Sequence, residues 1–485
     1  MDGRTMTCGQ VSDLAWGRAT AEVTADGLAR AAAAAVTAAE VATRREVYGR
    51  TTGVGANRDQ PVGPADQHAH GLRLLRSHAG GGGPLIAAEL SRAMLAVRVN
   101  QIAAGGSGVD PGVLRPLLDV LNAGLWVPVP RYGAIGTGDL TGLAAAALCL
   151  LGERDWLPAG GPPPPRFPLA PADALAFLSS NAATIGEAAL ACADLAELIR
   201  ASVVVAALSH CAVSASTEPY AAAVHEARRY PGQRAVAAGL RDLLGDQEPG
   251  RRTRIQDPYG YRALPQVHGP ALDAVRQAAA AVTAELNAAA ENPLVDVAGA
   301  TVWHNGNFHT AYVGLALDAL RAALFQTAAL SAARLGTLVE PAFTGLGPFL
   351  ATDPPPSSGV MILEYVSQSA VADIRRLAAP AALGSAVLSR GVEEHAGFST
   401  QSARSTTDVV DAYRIVLACE LVAAVRALRL SGVRPARPGL AGALGAAESA
   451  LPPGTADRAL DTDLADAQRL LPGLAALAEV AALAG

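Results

Sequence analysis

The sequence predicts a mainly α-helical protein in which a long helical bundle follows a smaller, loop-rich N-terminal part. Apolar residues recur at three- and four-residue intervals, whereas the strict alternation typical of strands is scarce. Aromatic residues make up only 4% of the 485 residues. Alanine, leucine and valine must therefore fill the core, and small side chains allow long helices to pack closely. The segments with helical periodicity are 22–46, 85–104, 172–200, 268–290, 309–336 and 408–430.

Clusters of glycine and proline mark the loops and suggest one domain boundary. The clusters are at 79–84, 158–171, 344–358 and 434–440. The proline-rich segment 158–171 is the best boundary, and it divides the chain into an N-terminal part (1–165) and a long-helix part (166–485). A stiff surface loop within one domain would have the same composition.

Composition excludes several classes of partner. The formal net charge is −6 and is spread along the chain without basic blocks, so a nucleic-acid partner is not expected. The first ten residues lack the apolar core of a signal peptide. The apolar stretch 201–217 is slightly too short for a membrane span and contains Ser209 and His210. We expect it to be a buried core helix of a cytoplasmic protein without a membrane partner.

The absence of lysine is the most restrictive compositional feature. All 38 basic residues are arginine. Pyridoxal-phosphate enzymes need a lysine for the Schiff base and Walker-type phosphate loops need their own lysine, so both classes are excluded. The five cysteines are scattered without a CxxC pair, and the nine histidines show no ligand spacing. No disulfide framework and no metal site are therefore predicted.

Five glycine-rich stretches place polar side chains where the backbone can approach a ligand. Each alone is a weak signal, because a Tyr-Gly pair is usually a turn and an isolated histidine usually a core residue. Their occurrence together, in this order, is far more specific. The stretches are VYGRTTGVG (47–55), LRSHAGGGG (75–83), RYGAIGTGDL (131–140), IQDPYGYRALPQ (255–266) and VEEH (392–395).

Together with HNGNFH (304–309), these stretches resemble the motifs of the histidine and aromatic amino acid ammonia-lyases and the related aminomutases. The resemblance runs from about Val47 to about Phe398. It implies a homotetramer whose active sites draw residues from several chains and act on a small amino acid substrate. The catalytic residues it implies are Tyr48, Tyr259 and Glu393, and the substrate-binding residues are His78, Gln256, Arg262 and Phe308.

The chemistry of ammonia elimination suits these residue types. The planar guanidinium of Arg262 can bind a substrate carboxylate with two hydrogen bonds. Tyr48 can remove the weakly acidic β-proton only if its pKa, normally about 10, is lowered by its surroundings. Tyr259 would assist by hydrogen bonding, and Gln256 would orient groups nearby. Glu393 and His78 favour a polar or cationic substrate side chain over that of phenylalanine.

The loop that should form the prosthetic group departs from the family pattern. Relatives make 4-methylidene-imidazol-5-one (MIO) from an Ala-Ser-Gly tripeptide, whereas this chain has Gly136-Thr137-Gly138 in a loop one residue shorter. Gly136 fits either the loop glycine of the family pattern or the first residue of the tripeptide. The threonine methyl would hinder attack by the amine. Ser179 stands where the family has an asparagine that contacts substrate and prosthetic group, with Asn181 two residues later. These departures favour an unmodified loop, with MIO from residues 136–138 as the alternative.

The leading prediction is an enzyme that eliminates ammonia from an L-amino acid to give an α,β-unsaturated acid. An aminomutase would use the same residues, because it adds the amine back at the β-carbon. A third possibility is elimination or cyclisation on this scaffold without the prosthetic group, with Tyr48 as the base. A non-catalytic homologue is the remaining alternative, and the retained acid–base residues argue against it.

Overall fold

The computed structural model describes residues 1–63, 65–158, 164, 166–245 and 254–477. Within these ranges the chain is mainly helical, which confirms the predicted fold class. The α-helices are α1 (Cys8–Ala15), α2 (Ala25–Ala42), α3 (Gln67–His78), α4 (Ala88–Ala104), α5 (Leu114–Asn122), α6 (Leu140–Leu151), α7 (Ala174–Leu178), α8 (Ala182–Ala212), α9 (Ala222–Glu226), α10 (Pro231–Leu244), α11 (Tyr259–Arg262), α12 (Leu264–Leu286), α13 (Ala311–Leu338), α14 (Pro341–Thr344), α15 (Ile362–Leu377), α16 (Ser399–Ser431), α17 (Pro438–Ala450) and α18 (Asp461–Ala475).

The strands in the described ranges are short and form two antiparallel pairs. β1 (Gly82–Leu85) pairs with β2 (Pro130–Tyr132), with Gly82 opposite Tyr132. β3 (Leu294–Asp296) pairs with β4 (Thr301–Trp303), with Val295 opposite Val302. This small amount of sheet agrees with the scarcity of alternating apolar patterns.

One predicted helix, 172–200, is interrupted in the structure. Helix α7 ends at Leu178 and α8 begins at Ala182, with the backbone of Ser179 outside the helical region. The Ser180 hydroxyl accepts a hydrogen bond from the backbone N–H of Ala182 and donates one to Gln101 Oε1. Such side-chain bonds compete with the helical pattern. The break presents Ser179 and Ser180 to the cavity described below.

The chain divides into two compact units that are each discontinuous in sequence. The first unit is Met1–Ala193, Ala278–Asp318 and Pro380–Thr407, and the second is Asp194–Gln277, Ala319–Ala379 and Asp408–Gly485. Residue 165, the boundary expected from composition, lies outside the described residues, and that division stays a prediction.

The core of the first unit uses small side chains, as the composition predicts. Along α6 the four alanines 144–147 have no exposed surface, and α4 is buried on nearly every face between Ala93 and Ala103. Helix α6 ends at Leu151. The next residue, Gly152, caps the helix with a φ of 73°, the left-handed conformation that glycine adopts readily. This packing fixes the start of α6, and the 136–138 loop immediately precedes it.

The second unit contains a fully buried ion pair between α13 and α16. Arg334 Nε and Nη2 donate to the two carboxylate oxygens of Glu420 at 2.6 and 2.7 Å, and neither side chain is exposed. Ser209 and Ser331 donate hydrogen bonds to the same carboxylate. Burial of such a pair is tolerated because every charged group has a partner.

We predict that Arg334→Ala lowers the free energy of unfolding by about 3–5 kcal/mol, because it leaves the Glu420 carboxylate buried without its cation. Chemical denaturation followed by circular dichroism measures the change. Arg44→Ala is the control, because Arg44 pairs with Glu40 on the surface and the exposed pair contributes at most about 1 kcal/mol. Equal effects of the two substitutions would contradict the prediction.

One described helix, α13, is long and apolar enough to cross a membrane by length and composition alone. Half of its most apolar 18-residue stretch is buried inside the protein. The helix also carries Arg321 and Arg334, both fully buried, and Arg321 donates to the backbone carbonyl of Leu377. Buried arginines with protein partners indicate a core helix. Residues 201–208 of α8 are likewise buried, as expected for a core helix.

Candidate active site

The first unit contains a cavity of about 660 Å³ that is open to solvent on one side, and this volume lies within the range of roughly 300–1,000 Å³ common for small-molecule sites. Segments that are far apart in the sequence line it together. The lining residues are Glu46, Tyr48, Thr52, Gly55, Arg58, Asp59, Thr137, Gly138, Leu140, Leu175, Ser179, Ser180, Asn292, His304, Asn305, Gly306, Phe308, His309, Val392, Glu393, Glu394 and His395.

Tyr48 is held in this cavity from two sides. Its hydroxyl accepts a hydrogen bond from the backbone N–H of Gly55 at 2.7 Å, and its own backbone N–H donates to His304 Nε2 at 3.2 Å. The edge of its ring approaches the His304 ring, with centroids 6.5 Å apart. Gly55 has a φ of 55°, so the turn that delivers this N–H favours glycine. The hydroxyl is therefore fixed in orientation.

The surroundings of Tyr48 in a single chain do not lower its pKa. Burial raises the pKa of Tyr48 above its usual value, and the negative charge of Glu393 raises it further. The Gly55 N–H and the charge of Arg58 act in the opposite direction without outweighing burial. If Tyr48 acts as a base, the group that lowers its pKa is a group other than Gly55 and Arg58.

The 136–138 loop is anchored on both sides of Thr137. The Gly136 carbonyl accepts a hydrogen bond from Thr310 Oγ1 at 3.0 Å, and the Gly138 N–H donates to Asn181 Oδ1 at 2.8 Å. Gly136 has a φ of 88°, and a Cβ there would lie 2.8 Å from the backbone nitrogen of Ser399. Alanine, the family residue, would therefore be strained here. Thr137 lines the cavity between these two anchored glycines.

The two candidate residues near the break between α7 and α8 have different contacts. Ser179 lines the cavity, and its hydroxyl accepts from the Asn292 N–H at 2.9 Å. Asn181 reaches the loop instead, because its amide oxygen accepts from Gly138 and its amide nitrogen donates to the backbone carbonyl of Phe308 at 2.5 Å. The displacement of asparagine in the sequence therefore does not remove its side chain from the loop.

Glu393 and Phe308 both line the cavity, as predicted from their motifs. The Glu393 segment is held by paired backbone hydrogen bonds with Leu388, and Glu393 Oε1 lies 3.5 Å from the position that a Cβ on Gly55 would take. The carboxylate is thus close to the turn that binds the Tyr48 hydroxyl. An acidic group and the candidate base share one end of the cavity.

Four predicted substrate-side residues do not line this cavity in one chain. His78 lies at the end of α3, where its Nδ1 is 2.9 Å from the carbonyl oxygen of Leu74 in the same helix. Gln256, Tyr259 and Arg262 belong to the second unit. Arg262 stacks on the Tyr259 ring, with its guanidinium carbon 4.5 Å from the ring centre. The convergence of all predicted site residues stays a prediction about the assembled protein.

Several polar residues of the cavity were not singled out from the sequence. His304, His309, Glu394 and His395 line it, and all four lie within the motifs HNGNFH and VEEH that located their neighbours. Arg98 forms a buried ion pair of 2.9 Å with Glu291, which directly precedes the lining residue Asn292 in the sequence. In the part of the chain that the structure describes, no three His, Cys, Asp or Glu side chains are arranged to hold a metal ion.

Comparison with known proteins assigns the chain and its fold to one family. The aromatic amino acid lyase family matches residues 6–449. The chain belongs to this family. It is 35% identical over 440 residues to histidine ammonia-lyase of Geobacillus thermodenitrificans (strain NG80-2), covering 87% of both chains. It is also 35% identical over 427 residues to histidine ammonia-lyase of Streptomyces coelicolor (strain ATCC BAA-471 / A3(2) / M145), covering 84% of this chain and 83% of that one.

Solved structures of the aromatic amino acid lyase family superpose over nearly the whole chain. Histidine ammonia-lyase from Trypanosoma cruzi matches with a TM-score of 0.91 and 28% identity, covering 99% of this chain and 94% of that chain. Tyrosine aminomutase from Streptomyces globisporus matches with a TM-score of 0.88 and 28% identity, covering 98% and 96%. The protein is a carbon–nitrogen lyase of the ammonia-lyase class.

Proposed function

We propose that the enzyme eliminates ammonia from an L-amino acid with a polar or aromatic, histidine-like side chain and releases an α,β-unsaturated acid. The observation that carries this proposal is the shared cavity of Tyr48, Glu393, Glu394 and three imidazoles. Carboxylates accept hydrogen bonds from an imidazole side chain, and they attract its protonated form. The similarity to histidine ammonia-lyases supports the same class of substrate.

In this reaction the chain must hold a carboxylate and move one proton. The Tyr48 oxygen, as phenolate, takes the β-proton while the C–N bond electrons leave with ammonia, and the double bond forms between the α- and β-carbons. Ammonia takes up one proton from solution to become ammonium, and the β-proton that Tyr48 gives up balances this uptake. Arg262 is the carboxylate-binding residue: its Nε is buried and has no hydrogen-bond partner in the described part of the chain.

Arg262, Tyr259 and Gln256 would complete the cavity of a neighbouring copy in a homotetramer. Tyr259 is 68% exposed and Ile255, beside Gln256, is 85% exposed. Exposed large apolar side chains next to candidate site residues are typical of a surface that another chain covers. A cation delivered in this way would also lower the pKa of Tyr48. We place this assembly in the cytoplasm.

We propose that Thr137 stays unmodified, although the family depends on MIO. Ring closure joins the Gly138 nitrogen to the Gly136 carbonyl carbon, so it removes the N–H bound to Asn181 and the oxygen bound to Thr310. Each partner would then lose a hydrogen bond in a mostly buried place, at a cost of about 1–3 kcal/mol each. The strain that alanine would meet at Gly136 also separates this loop from the family tripeptide.

The intact mass of the purified protein tests this proposal. We expect the mass of the sequence, because ring formation would remove two waters, about 36 Da. Thr137→Ala should leave any activity largely unchanged. A mass deficit in the wild type together with a large rate loss in Thr137→Ala would contradict it.

An unmodified loop favours a second candidate function on the same scaffold. Without an electrophile to capture the amine, the C–N bond breaks more readily when the substrate carries a better leaving group. Elimination or cyclisation of such a substrate would use Tyr48 in the same way. The anchoring of Gly136 and Gly138 by Thr310 and Asn181 is the observation that favours this alternative.

Incubation of the enzyme with L-histidine, L-tyrosine and L-phenylalanine tests the leading function. We expect an ultraviolet-absorbing unsaturated acid with one of them, and ammonium in equal amount. Proton NMR of the products distinguishes this acid from the β-amino acid of an aminomutase. Absence of both products with all three substrates would contradict the leading proposal and leave the second candidate to be tested with N-methylated amino acids.

A further inference from the structure

Two imidazoles of the cavity are joined by a direct hydrogen bond. His309 Nε2 and His395 Nδ1 are 2.9 Å apart, and the ring centroids are 5.0 Å apart. In such a contact one ring donates and the other accepts, so both rings cannot carry a proton on the facing nitrogens. The two histidines, here called the histidine pair, therefore share one proton between them.

The histidine pair is held by its backbone. The N–H of His309 donates to the carbonyl of Gly306 at 3.1 Å, and the next residue, Thr310, binds Gly136 of the loop. A Cβ on Gly397 would lie 3.2 Å from His309 Cε1, so a glycine at this position gives the ring its space. The position of the pair is thus coupled to the loop that carries Thr137.

The histidine pair spans from the interior to solvent. His309 is half-buried and His395 is exposed, and both line the cavity. Each ring has a second nitrogen outside the shared bond, Nδ1 of His309 and Nε2 of His395. Burial lowers the pKa of His309, and the charge of His395 lowers it further. The other titratable groups in the cavity lining are Glu46, Tyr48, Arg58, Asp59, His304, Glu393 and Glu394.

We propose that the histidine pair carries the β-proton from the cavity to solvent, an inference that rests on the proposed elimination. Tyr48 holds that proton after the C–H bond breaks and must lose it before the next turnover. The proton passes from the Tyr48 oxygen through cavity water to His309 Nδ1. The proton on His309 Nε2 crosses to His395 Nδ1, and a proton leaves His395 Nε2 for solvent. Exchange of ring protons with water then returns each ring to its starting tautomer, with the proton on Nε2, and no other bond changes.

His309→Gln and His395→Gln test the relay, since glutamine keeps hydrogen bonding without titrating near neutral pH. We expect the first turnover, measured by rapid quench, to slow much less than the later turnovers. Later turnovers should slow by about tenfold or more, because Tyr48 stays protonated. Imidazole in solution should restore part of the steady-state rate of His395→Ala. His68→Gln is the control, because His68 is exposed on α3 and does not line the cavity.

Equal loss of the first and later turnovers, or no rescue by imidazole, would overturn the relay while leaving the proposed elimination in place. Failure of the wild type to release an unsaturated acid would instead overturn the proposed elimination. An NMR titration of the histidine-labelled wild type tests the histidine pair independently of activity, because it follows the protonation of the two rings. The His395→Gln variant serves to assign the signals. Coupled uptake of a single proton by the two rings supports it, and two independent titrations would overturn it.

Discussion

Replacing Tyr48 by phenylalanine should lower kcat by about 10²- to 10⁴-fold, the range found when a positioned acid or base is removed. Phenylalanine keeps the aromatic ring, which packs against the His304 ring with the centroids 6.5 Å apart. Only the oxygen that would accept the β-proton is lost, together with its hydrogen bond from Gly55. KM should change little, since the base acts in the transition state.

The pH dependence gives an independent test of Tyr48. The base acts only when deprotonated, and burial together with Glu393 raises the pKa of Tyr48. The fraction of phenolate grows as the pH rises, so kcat/KM should increase toward alkaline pH in the wild type. Tyr48→Phe should lose this increase. Tyr132→Phe is the control, because Tyr132 is exposed and does not line the cavity. A pH profile of Tyr48→Phe parallel to the wild type would show that another group is the base.

The fold was predictable because it depends on local periodicity. The helical periods of 85–104, 309–336 and 408–430 correspond to α4, α13 and most of α16 with small differences at the ends. The break at Ser179–Ser180 was not predictable, because the bonds that stabilise it come from Gln101 and from the cavity wall. Composition alone also does not show that the compact units are assembled from separated stretches of the chain.

The sequence located candidate site residues where a single motif contains both the residue and other residues that line the cavity. Tyr48, Phe308 and Glu393 line one cavity as their motifs indicated. The direction of the Tyr48 pKa was not predictable, because it follows from burial and from a carboxylate 345 positions later in the chain. The contact of Asn181 with Gly138 also could not be read from the alignment of motifs, which assigned the expected position to Ser179. Sequence patterns do not show which distant segments of the chain are in contact.

Replacing Arg262 by alanine should weaken substrate binding by about 2–4 kcal/mol, because the substrate carboxylate would lose two charge-assisted hydrogen bonds from the guanidinium. This loss corresponds to an increase in KM of about 30- to 700-fold. Arg262→Lys keeps the charge but not the planar fork, so it should fall between the wild type and alanine. Steady-state kinetics with the amino acid turned over best by the wild type measures all three proteins.

Arg228→Ala is the matched control for this prediction. Arg228 also lies over a tyrosine ring in the second unit, 5.1 Å from the centre of Tyr230, but it belongs to none of the motifs. Removing it deletes an exposed guanidinium with the same kind of ring contact, so KM should not change. If Arg262→Ala and Arg228→Ala give the same KM, Arg262 does not hold the carboxylate. If only Arg262→Ala raises KM, and light scattering gives the same oligomeric state as the wild type, the substrate carboxylate binds this side chain, because a change of assembly cannot account for the effect.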